Sequence, residues 1–212
     1  MSDNDLLRKL DLAIWIGKSL FERGKTSGAS ANLSFAHEDR VYITATGTCF
    51  GNLTPESFSE VDRLGVLRRG PTPSRELLLH LKLYGKRPKV GAVIHTHSFY
   101  AVLWSCLRHA SPEDVIPSHT PYLKMRLGTV GLVPFAPPGS KELFELFAER
   151  IERSDGYLLA GHGPVVGGDD LLSAFYNLEE LEESARVAWA LRGENAASVS
   201  VQDRGTGGTP PP

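Results

Sequence analysis

The arrangement of apolar positions predicts alternating helices and strands from the N-terminus onward. Apolar residues first recur at the spacing of an amphipathic helix, which a glycine can end, and a small polar loop follows. Two short runs then have the length and composition of strands. The helix is marked by Leu7, Leu10, Ile14 and Phe21 with Gly24 after it, the loop covers 26–32, and the strands cover 33–35 and 40–44.

The middle of the chain continues this alternation. A helix is predicted to begin at Pro73-Ser74, to carry Glu76 in its first turn and to continue through Leu83. A short apolar run that leads into His95 predicts a buried strand. The apolar run covers 90–94, and the strand is expected to include His95 and His97 after it. A helix follows at about 99–107. The proline-rich residues 112–138 are predicted to be irregular, with one short strand at 131–133.

The C-terminal part is predicted to contain two helices and one strand, and then a tail. The tail is rich in glycine, serine, threonine and proline, so we expect it to be disordered. The four glutamates of the last helix are expected to form a solvated face. The elements are a helix at 141–150, a strand at 156–160 that leads to His162, and a long helix capped by Asp169 or Asp170 that ends near Gly193. The glutamates are Glu179, Glu180, Glu182 and Glu183. The predicted domain covers 1–192 and the predicted tail 193–212.

Composition indicates one domain and excludes some partners. A chain of 212 residues with 41% hydrophobic residues can bury one good core. A net charge of -2 without a basic stripe argues against a nucleic-acid partner. No apolar stretch approaches the ~20 residues of a membrane span, so no membrane partner is expected. Cys49 and Cys106 are expected to be unpaired thiols in a reducing cytoplasm.

His95 and His97 are the most informative residues for function. Side chains alternate along a strand with a period of two, so both imidazoles would lie on one face and could chelate a cation. A third imidazole, for which His162 is the best candidate, would leave one position of a tetrahedral zinc open, as in catalytic sites. From residue types and spacing alone, a metal site and two histidines that face a neighbouring helix are equally favoured.

Five motifs occur in the order and spacing of the class II aldolase/adducin family, which the chain resembles from about residue 6 to residue 192. The resemblance implies a single α/β domain with a central, mostly antiparallel sheet flanked by helices. It also implies a homotetramer with active sites between subunits. The motifs are Ala29-Ser-Ala-Asn-Leu-Ser34, Thr44-Ala-Thr-Gly47, Pro73-Ser-Arg-Glu76, His95-Thr-His97 and His162-Gly163.

The resemblance implies one divalent cation per subunit, usually Zn²⁺. In family members, three histidines that match His95, His97 and His162 hold this cation. The acidic residue that matches Glu76 approaches the metal when the site is empty and acts as the acid/base when substrate is bound. Without the resemblance, a carboxylate in the first turn of a helix is better explained by its favourable interaction with the helix dipole.

The resemblance also implies a phosphate site. Backbone N–H groups in tight turns and at helix N-termini bind anions. Arg75 stands where the sugar-phosphate aldolases often have a second serine, and a cation there suits a substrate with an additional carboxylate. A solvent-facing helix residue is the equally weighted alternative for Arg75. The residues that match the phosphate cradle are Asn32, Thr46, Gly47 and Ser74.

Other positions carry weaker indications. Ala31 stands where the family often has glycine, which narrows the backbone conformations of that loop. Arg126 is a weaker candidate for the substrate carboxylate, and Tyr122 for a place near the substrate. His80 follows Glu76 by one helical turn and could orient that carboxylate, although a structural role is the better expectation.

Within the family, residues 73–76, 116–126 and 161–166 are most similar to those of 3-oxo-tetronate 4-phosphate decarboxylases. The implied substrate is a small phosphorylated sugar acid, which loses carbon dioxide to give dihydroxyacetone phosphate through a metal-stabilised enediolate. Glu76, or water that it positions, would protonate the carbon. Two alternatives stay open. One is a fuculose- or rhamnulose-phosphate type aldolase or a pentose-phosphate 4-epimerase at the same site; the other is an adducin-like interaction module without chemistry.

Overall fold

The computed structural model describes residues 3–151 and 154–199, and within them one eight-stranded sheet is surrounded by α-helices. The strands are β1 (Asn32–His37), β2 (Arg40–Thr44), β3 (Phe58–Asp62), β4 (Leu67–Arg69), β5 (Ala92–His95), β6 (Gly131–Val133), β7 (Gly156–Leu159) and β8 (Gly163–Gly168). The helices are α1 (Asp3–Glu22), α2 (Leu77–Lys86), α3 (Phe99–Ser105), α4 (Tyr122–Leu127), α5 (Lys141–Arg150) and α6 (Leu171–Ala190). Two single-turn 3-10 helices, Phe50–Asn52 and Pro55–Ser57, lie between β2 and β3.

The sheet is antiparallel almost throughout. Its strand order is β4-β3-β2-β1-β5-β8-β7-β6. All neighbouring pairs are antiparallel except β6 and β7, which are parallel. The predicted fold class, one α/β domain around a mostly antiparallel sheet flanked by helices, is confirmed.

The alternation of side chains along the strands divides the helices into two layers. Leu33 in β1 and Ile94 in β5 belong to a core shared with α1, α3, α4 and α6. Val93 belongs to a second core on the opposite face of the sheet, shared with α2 and α5. Asn32 is the direct partner of His95 in the ladder between β1 and β5, and both lie on the α2 face.

Three strands and one helix were not predicted. β8 lacks a strand signal because it contains glycine and proline, which are depleted in strands. Its glycines are needed for packing, since a Cβ atom on Gly168 would lie 2.2 Å from the backbone nitrogen of Ala174 in α6. The prediction that 112–138 is irregular apart from one strand was wrong at α4, which buries Leu123 and Leu127. β3 and β4 extend the sheet beyond β2.

Glu182 contradicts the prediction of a solvated glutamate face on α6. Only 2% of this residue is exposed. Its carboxylate accepts hydrogen bonds from the backbone N–H groups of Tyr100 (3.2 Å) and Ala101 (2.9 Å) at the start of α3. The ammonium group of Lys25 lies 3.7 Å away. A carboxylate suits the unpaired N–H groups of a helix N-terminus, so Glu182 anchors the helix that begins two residues after His97.

The C-terminal residues leave α6 and return to the segment before α4. The backbone N–H of Val199 donates to the carbonyl of Ser118 over 2.8 Å, and the carbonyl of Ala197 lies 2.9 Å from His119 Nδ1. Of the predicted tail, residues 200–212 lie outside the described residues. In the described part of the chain, no helix has the length and hydropathy to cross a membrane. Cys49 and Cys106 are both free thiols.

Candidate active site

Three histidines converge where β5 ends and where β8, its neighbour in the sheet, begins. His95 is the last residue of β5, and His97 lies just beyond that strand, where a strand residue had been predicted. His162 lies in the turn between β7 and β8. Because β8 pairs with β5, this turn lies next to the end of β5. The ring centroids are 4.7 Å apart for His95 and His162, 4.8 Å for His97 and His162, and 5.2 Å for His95 and His97.

The imidazole nitrogens are arranged as ligands for one cation. His95 Nδ1 lies 2.8 Å from the carbonyl oxygen of Pro164 and therefore carries the proton, which leaves the Nε2 lone pair free. The Nε2 atoms of His95 and His97 are buried and have no hydrogen-bond partner among the described residues. One nitrogen from each of His95, His97 and His162 belongs to a group whose members all lie within 4.8 Å of one another.

Gly163 allows the segment that carries His97 to pack against the turn that carries His162. A Cβ atom on Gly163 would lie 2.4 Å from the carbonyl oxygen of Thr96 and 3.4 Å from Cα of His97. A side chain there would force the two segments apart. The close approach of the histidines therefore requires glycine at this position.

Glu76 contacts two of the three histidines. The sequence had placed it in the first turn of a helix, but it is the N-cap residue, and α2 begins one residue later. Its backbone N–H donates to Ser74 Oγ over 3.3 Å. Its Oε2 accepts a hydrogen bond from Asn32 Nδ2 over 2.8 Å and lies 3.3 Å from His95 Nε2. Its Oε1 lies 3.5 Å from His162 Nε2.

Burial governs protonation in this group. It lowers the pKa of His162 to about 4, with a further contribution from His95, and it lowers the pKa values of His95 and His97. The imidazoles are therefore neutral near neutral pH, which is the form that binds metals. Burial raises the pKa of the Glu76 carboxyl, but His95, the N–H of Asn32 and His162 together lower that pKa below its ordinary value. The imidazoles lower this pKa only when they are charged. Because they are neutral near neutral pH, the hydrogen bond from Asn32 is the interaction that still lowers the pKa of Glu76 there.

A cavity of about 230 Å³ lies in front of Glu76. It is bordered by the loop after α1, the turn after β2, the segment before α2 and the loop before α5. The residues predicted to bind substrate or phosphate all line it, together with two of the three histidines. These lining residues are Asn32, Thr46, Gly47, Ser74, Arg75, Glu76, His97 and His162.

Backbone pairing holds the turn after β2 against the segment before α2. The N–H of Thr46 donates to the carbonyl of Thr72 over 3.0 Å, and the N–H of Ser74 donates to the carbonyl of Thr44 over 3.1 Å. Gly47 has a φ of 76°, which favours glycine. The turn and the start of α2 therefore border the same side of the cavity, as a phosphate cradle requires.

Arg75 is the cation at the rim of the cavity. It is exposed and has no hydrogen bond or ion pair with any residue that the structure describes. Beside it lie Pro138 and Gly139, which also line the cavity and were not predicted. Gly139 has a φ of 74°, and a Cβ atom there would lie 3.5 Å from the Cβ of Arg75. The adjacent proline and glycine before α5 are typical of a turn and could have marked this loop.

The two weaker candidates do not line the cavity. Tyr122 is 58% exposed at the start of α4. The guanidinium of Arg126 lies 5.5 Å from the ring centroid of Tyr176, and it lines a different surface depression. Within one chain, neither residue joins the other predicted site residues.

Buried polar side chains lie behind Glu76. Asn32 Oδ1 is 2.6 Å from His80 Nε2, and His80 Nδ1 is 2.7 Å from Ser34 Oγ. Ser34 Oγ is in turn 2.8 Å from the hydroxyl of Tyr84. Burial lowers the pKa of His80 to about 3, so this imidazole is neutral. His80 thus contacts Asn32 rather than Glu76, and Asn32 keeps one amide N–H free for a ligand.

The chain matches the model of the Class II Aldolase and Adducin N-terminal domain over residues 12–189. This match includes the sheet and every residue that lines the cavity. The chain belongs to the class II aldolase/adducin family. The sheet and its flanking helices accordingly form the class II aldolase fold.

Relatives of the chain within this family include decarboxylases and aldolases. A 3-oxo-tetronate 4-phosphate decarboxylase of Haemophilus influenzae is 41% identical over 191 residues, which are 90% of this chain and 90% of that protein. An L-fuculose phosphate aldolase of Methanococcus maripaludis is 34% identical over 178 residues, 84% of this chain and 94% of that protein. The crystal structure of YgbL from Escherichia coli has a TM-score of 0.87 and 39% identity over 90% of this chain and 92% of that chain. These similarities support a lyase of the class II aldolase type.

Class II aldolases typically depend on a divalent metal, and the three histidines fit one. The three imidazoles are neutral, and two of them have a buried Nε2 without a hydrogen-bond partner among the described residues, so together they could bind such a metal. Glu76 borders both the histidines and the cavity. Its carboxylate can therefore exchange a proton with a molecule bound in the cavity.

Proposed function

We propose that the protein is a metal-dependent decarboxylase that converts a 3-oxo-tetronate 4-phosphate to carbon dioxide and dihydroxyacetone phosphate. The observation that carries the proposal is the position of Arg75 at the rim of the cavity that also contains Glu76 and the candidate phosphate residues. Its cation has no ion pair with any of the described residues. The substrate has a phosphate at one end and a carboxylate at the other, so it needs two anion sites. The Haemophilus influenzae relative, named for this activity, supports the same reaction.

Two groups of residues would bind the two anionic ends. We propose that the Thr46–Gly47 turn, Ser74 and the free amide N–H of Asn32 bind the phosphate. Arg75 would bind the carboxylate through a charge-assisted hydrogen bond. Both anions would then be held in the cavity that Glu76 borders.

The reaction breaks the bond between the carboxylate carbon and C2, and its electron pair passes into an enediolate over C2 and C3. We propose Zn²⁺ as the cation held by His95, His97 and His162; when bound, it supplies a Lewis acid that stabilises negative charge on substrate oxygens. Glu76, protonated from solvent, gives its proton to C2 and completes the product. Asn32 occupies Oε2 of this carboxylate, so Oε1 is the oxygen available for the proton.

Carbon dioxide and dihydroxyacetone phosphate should be followed separately during incubation with the tetronate phosphate. Because β-keto acids lose carbon dioxide spontaneously, the control is the same mixture without protein. In deuterium oxide, Glu76 should deliver deuterium to one face of C2, so the product should carry one deuterium in a single configuration. The proposal requires equal amounts of both products at a rate above the control. A rate equal to the control would contradict it.

A sugar-phosphate aldolase is the second candidate function. The 34% identity to an L-fuculose phosphate aldolase favours it, because the same residues could serve both reactions. Cleavage of a ketose 1-phosphate to an aldehyde also leaves an enediolate of dihydroxyacetone phosphate. Aldehyde release from a ketose 1-phosphate, without carbon dioxide release from the tetronate phosphate, would select this candidate.

We further propose a cytoplasmic homotetramer with active sites between subunits. Large apolar side chains near the histidines support an interface there: Phe99 is 62% exposed and Phe135 is 66% exposed. Tyr122 would enter the site of a neighbouring subunit. Sedimentation measures the oligomeric state, and mixing His97→Ala with Tyr122→Ala subunits should restore activity. Full activity in a monomer would contradict the proposal.

A further inference from the structure

We infer that His80 is a positioning residue, which fixes the amide of Asn32 and through it the carboxylate of Glu76. The inference rests on the proposed role of Glu76 as the proton carrier. It begins with an unbroken chain of hydrogen bonds from Tyr84 through Ser34, His80 and Asn32 to Glu76. The successive distances are 2.8, 2.7, 2.6 and 2.8 Å.

Each hydrogen bond in this chain has a forced direction. The ionised carboxylate of Glu76 can only accept, so the amide group that faces it is the NH₂ of Asn32. Oδ1 of Asn32 therefore faces His80 and needs a donor, which must be the Nε2–H of the imidazole. A neutral imidazole with its proton on Nε2 accepts at Nδ1, so the hydroxyl of Ser34 donates there. The oxygen of Ser34 then accepts from Tyr84.

Burial makes this direction costly to change. His80 and Ser34 have no exposed surface, and Asn32 and Tyr84 are 5% and 7% exposed. Reversal of one member would leave two donors or two acceptors facing each other among buried side chains, and an unmade buried hydrogen bond costs roughly 1–3 kcal/mol. The chain therefore maintains one orientation of the Asn32 amide, the one that presents N–H to Glu76.

The backbone provides the geometry for the chain. Asn32 and Ser34 lie on the same face of β1, and His80 and Tyr84 are one turn apart on α2. The side chains from β1 alternate with those from α2 along the hydrogen-bonded chain. The chain therefore ties the helix that begins after Glu76 to the strand whose end lies beside His95.

His80 positions Glu76 without gaining or losing a proton itself. Burial lowers the pKa of His80 to about 3, so the imidazole keeps the same single proton throughout the neutral range. A static donor of this kind selects an orientation, as the second partner of a metal-binding histidine does elsewhere. This distinguishes His80 from Glu76, which must gain and lose a proton in every turnover.

Substitutions along the chain should have graded effects. His80→Phe removes the donor, and we expect kcat to fall by about 10–100-fold, the usual effect of losing such a partner. His80→Gln keeps an amide N–H near the place of Nε2 and should restore most of kcat. Tyr84→Phe is the matched control, because Asn32 still determines where the proton of His80 resides, so kcat should stay close to that of the wild type. Exchange of dihydroxyacetone phosphate protons in deuterium oxide is the activity, since both candidate lyases share this step.

The tautomer of His80 provides a test that does not depend on activity. Long-range ¹H–¹⁵N spectra of histidine-labelled protein should show the proton of His80 on Nε2 in the wild type and in Tyr84→Phe. A proton on Nδ1, or kcat of His80→Phe equal to the wild type, would overturn the inference. Equal losses in His80→Phe and His80→Gln would also overturn it, because they would indicate a packing effect. If the wild type has no lyase activity but His80 carries its proton on Nε2, the proposed function fails while the hydrogen-bonded chain stands.

Discussion

Asn32 and His95 face each other directly across the ladder between β1 and β5. Both side chains reach the same oxygen of Glu76, over 2.8 Å from Asn32 Nδ2 and 3.3 Å from His95 Nε2. The register of these strands therefore determines the site. A shift of one residue would turn either side chain to the opposite face of the sheet.

Replacement of His97 by alanine should abolish metal loading. The wild-type protein is expected to bind about one zinc or similar divalent ion per chain, and the variant loses one of three clustered imidazoles. Elemental analysis of purified protein measures the occupancy. His119→Ala is the control, because that imidazole contacts the carbonyl of Ala197 outside the cavity. Equal metal content in His97→Ala and wild type would disprove the proposed ligand set.

Glu76→Gln should lower turnover by roughly 10²–10⁴-fold, the usual contribution of a positioned acid or base. Glutamine keeps the shape of the side chain but cannot carry the proton. Metal content should change little, since three imidazoles remain. Turnover is measured with saturating substrate and metal, and elemental analysis of the same sample excludes metal loss as the cause. Near-normal turnover would leave Glu76 with a structural role only.

Arg75→Ser tests whether the reaction is a decarboxylation. A charge-assisted contact contributes roughly 1.5–3 kcal/mol, so kcat/KM for the tetronate phosphate should fall by about 10–150-fold. Binding of dihydroxyacetone phosphate, which has no carboxylate, should be nearly unchanged. Arg8→Ser, at an exposed position of α1 away from the cavity, is the control. Equal losses for both ligands would mean that Arg75 contacts the phosphate or supports the fold.

The parts of the site that could be predicted lie in short motifs. His95 and His97 share a face because side chains alternate in extended backbone, and this holds although His97 lies beyond the end of β5. The resemblance to the family predicts Asn32, Ser74 and Arg75 as site residues, and all three border one cavity. Their roles stay predictions until the substitutions are measured.

The contacts that could not be predicted depend on packing between distant segments. The hydrogen bond from Asn32 to Glu76 exists because α2 packs on β1, and residue types do not reveal which ends of an amide and a carboxylate will meet. Glu182 cannot be distinguished from its neighbouring glutamates by sequence. It is buried because α3 packs against α6 and donates a backbone N–H to its carboxylate. β8 was not predicted because glycine has a low strand propensity. Its glycines are present because α6 packs closely against this strand.

Acidification should destabilise the metal-free protein through His80. Its pKa is about 3 in the folded state and near 6.5 when unfolded, so the unfolded chain takes up a proton that the folded chain does not. Stability is therefore lost as the pH falls below 6.5, and the loss continues down to about 3. This residue contributes about 1.4 kcal/mol of unfolding free energy per pH unit inside that window.

Urea unfolding of chelator-treated protein at several pH values measures this slope. His80→Gln lacks the titrating imidazole, so its slope should be smaller by one proton. The histidines of the metal site titrate in both proteins and cancel in the difference. Identical slopes would show that His80 is not held neutral in the folded state.

Gly163→Ala and Gly85→Ala should change stability in opposite directions. The new Cβ at position 163 would lie 2.4 Å from the carbonyl oxygen of Thr96, so the segment with His97 must move. Such overpacking costs roughly 1–3 kcal/mol, and the displaced imidazole should also weaken metal binding. Gly85 is exposed within α2, and a Cβ there would meet no side chain of the described residues within 4 Å, so alanine should stabilise the protein by roughly 0.5–1 kcal/mol. Urea unfolding of metal-free protein and competition with a chromogenic chelator measure the two effects. Gly163→Ala could instead bind the metal as tightly as Gly85→Ala and unfold at the same urea concentration. That result would mean that the close approach of Thr96 to the β7–β8 turn does not hold His97 beside His162.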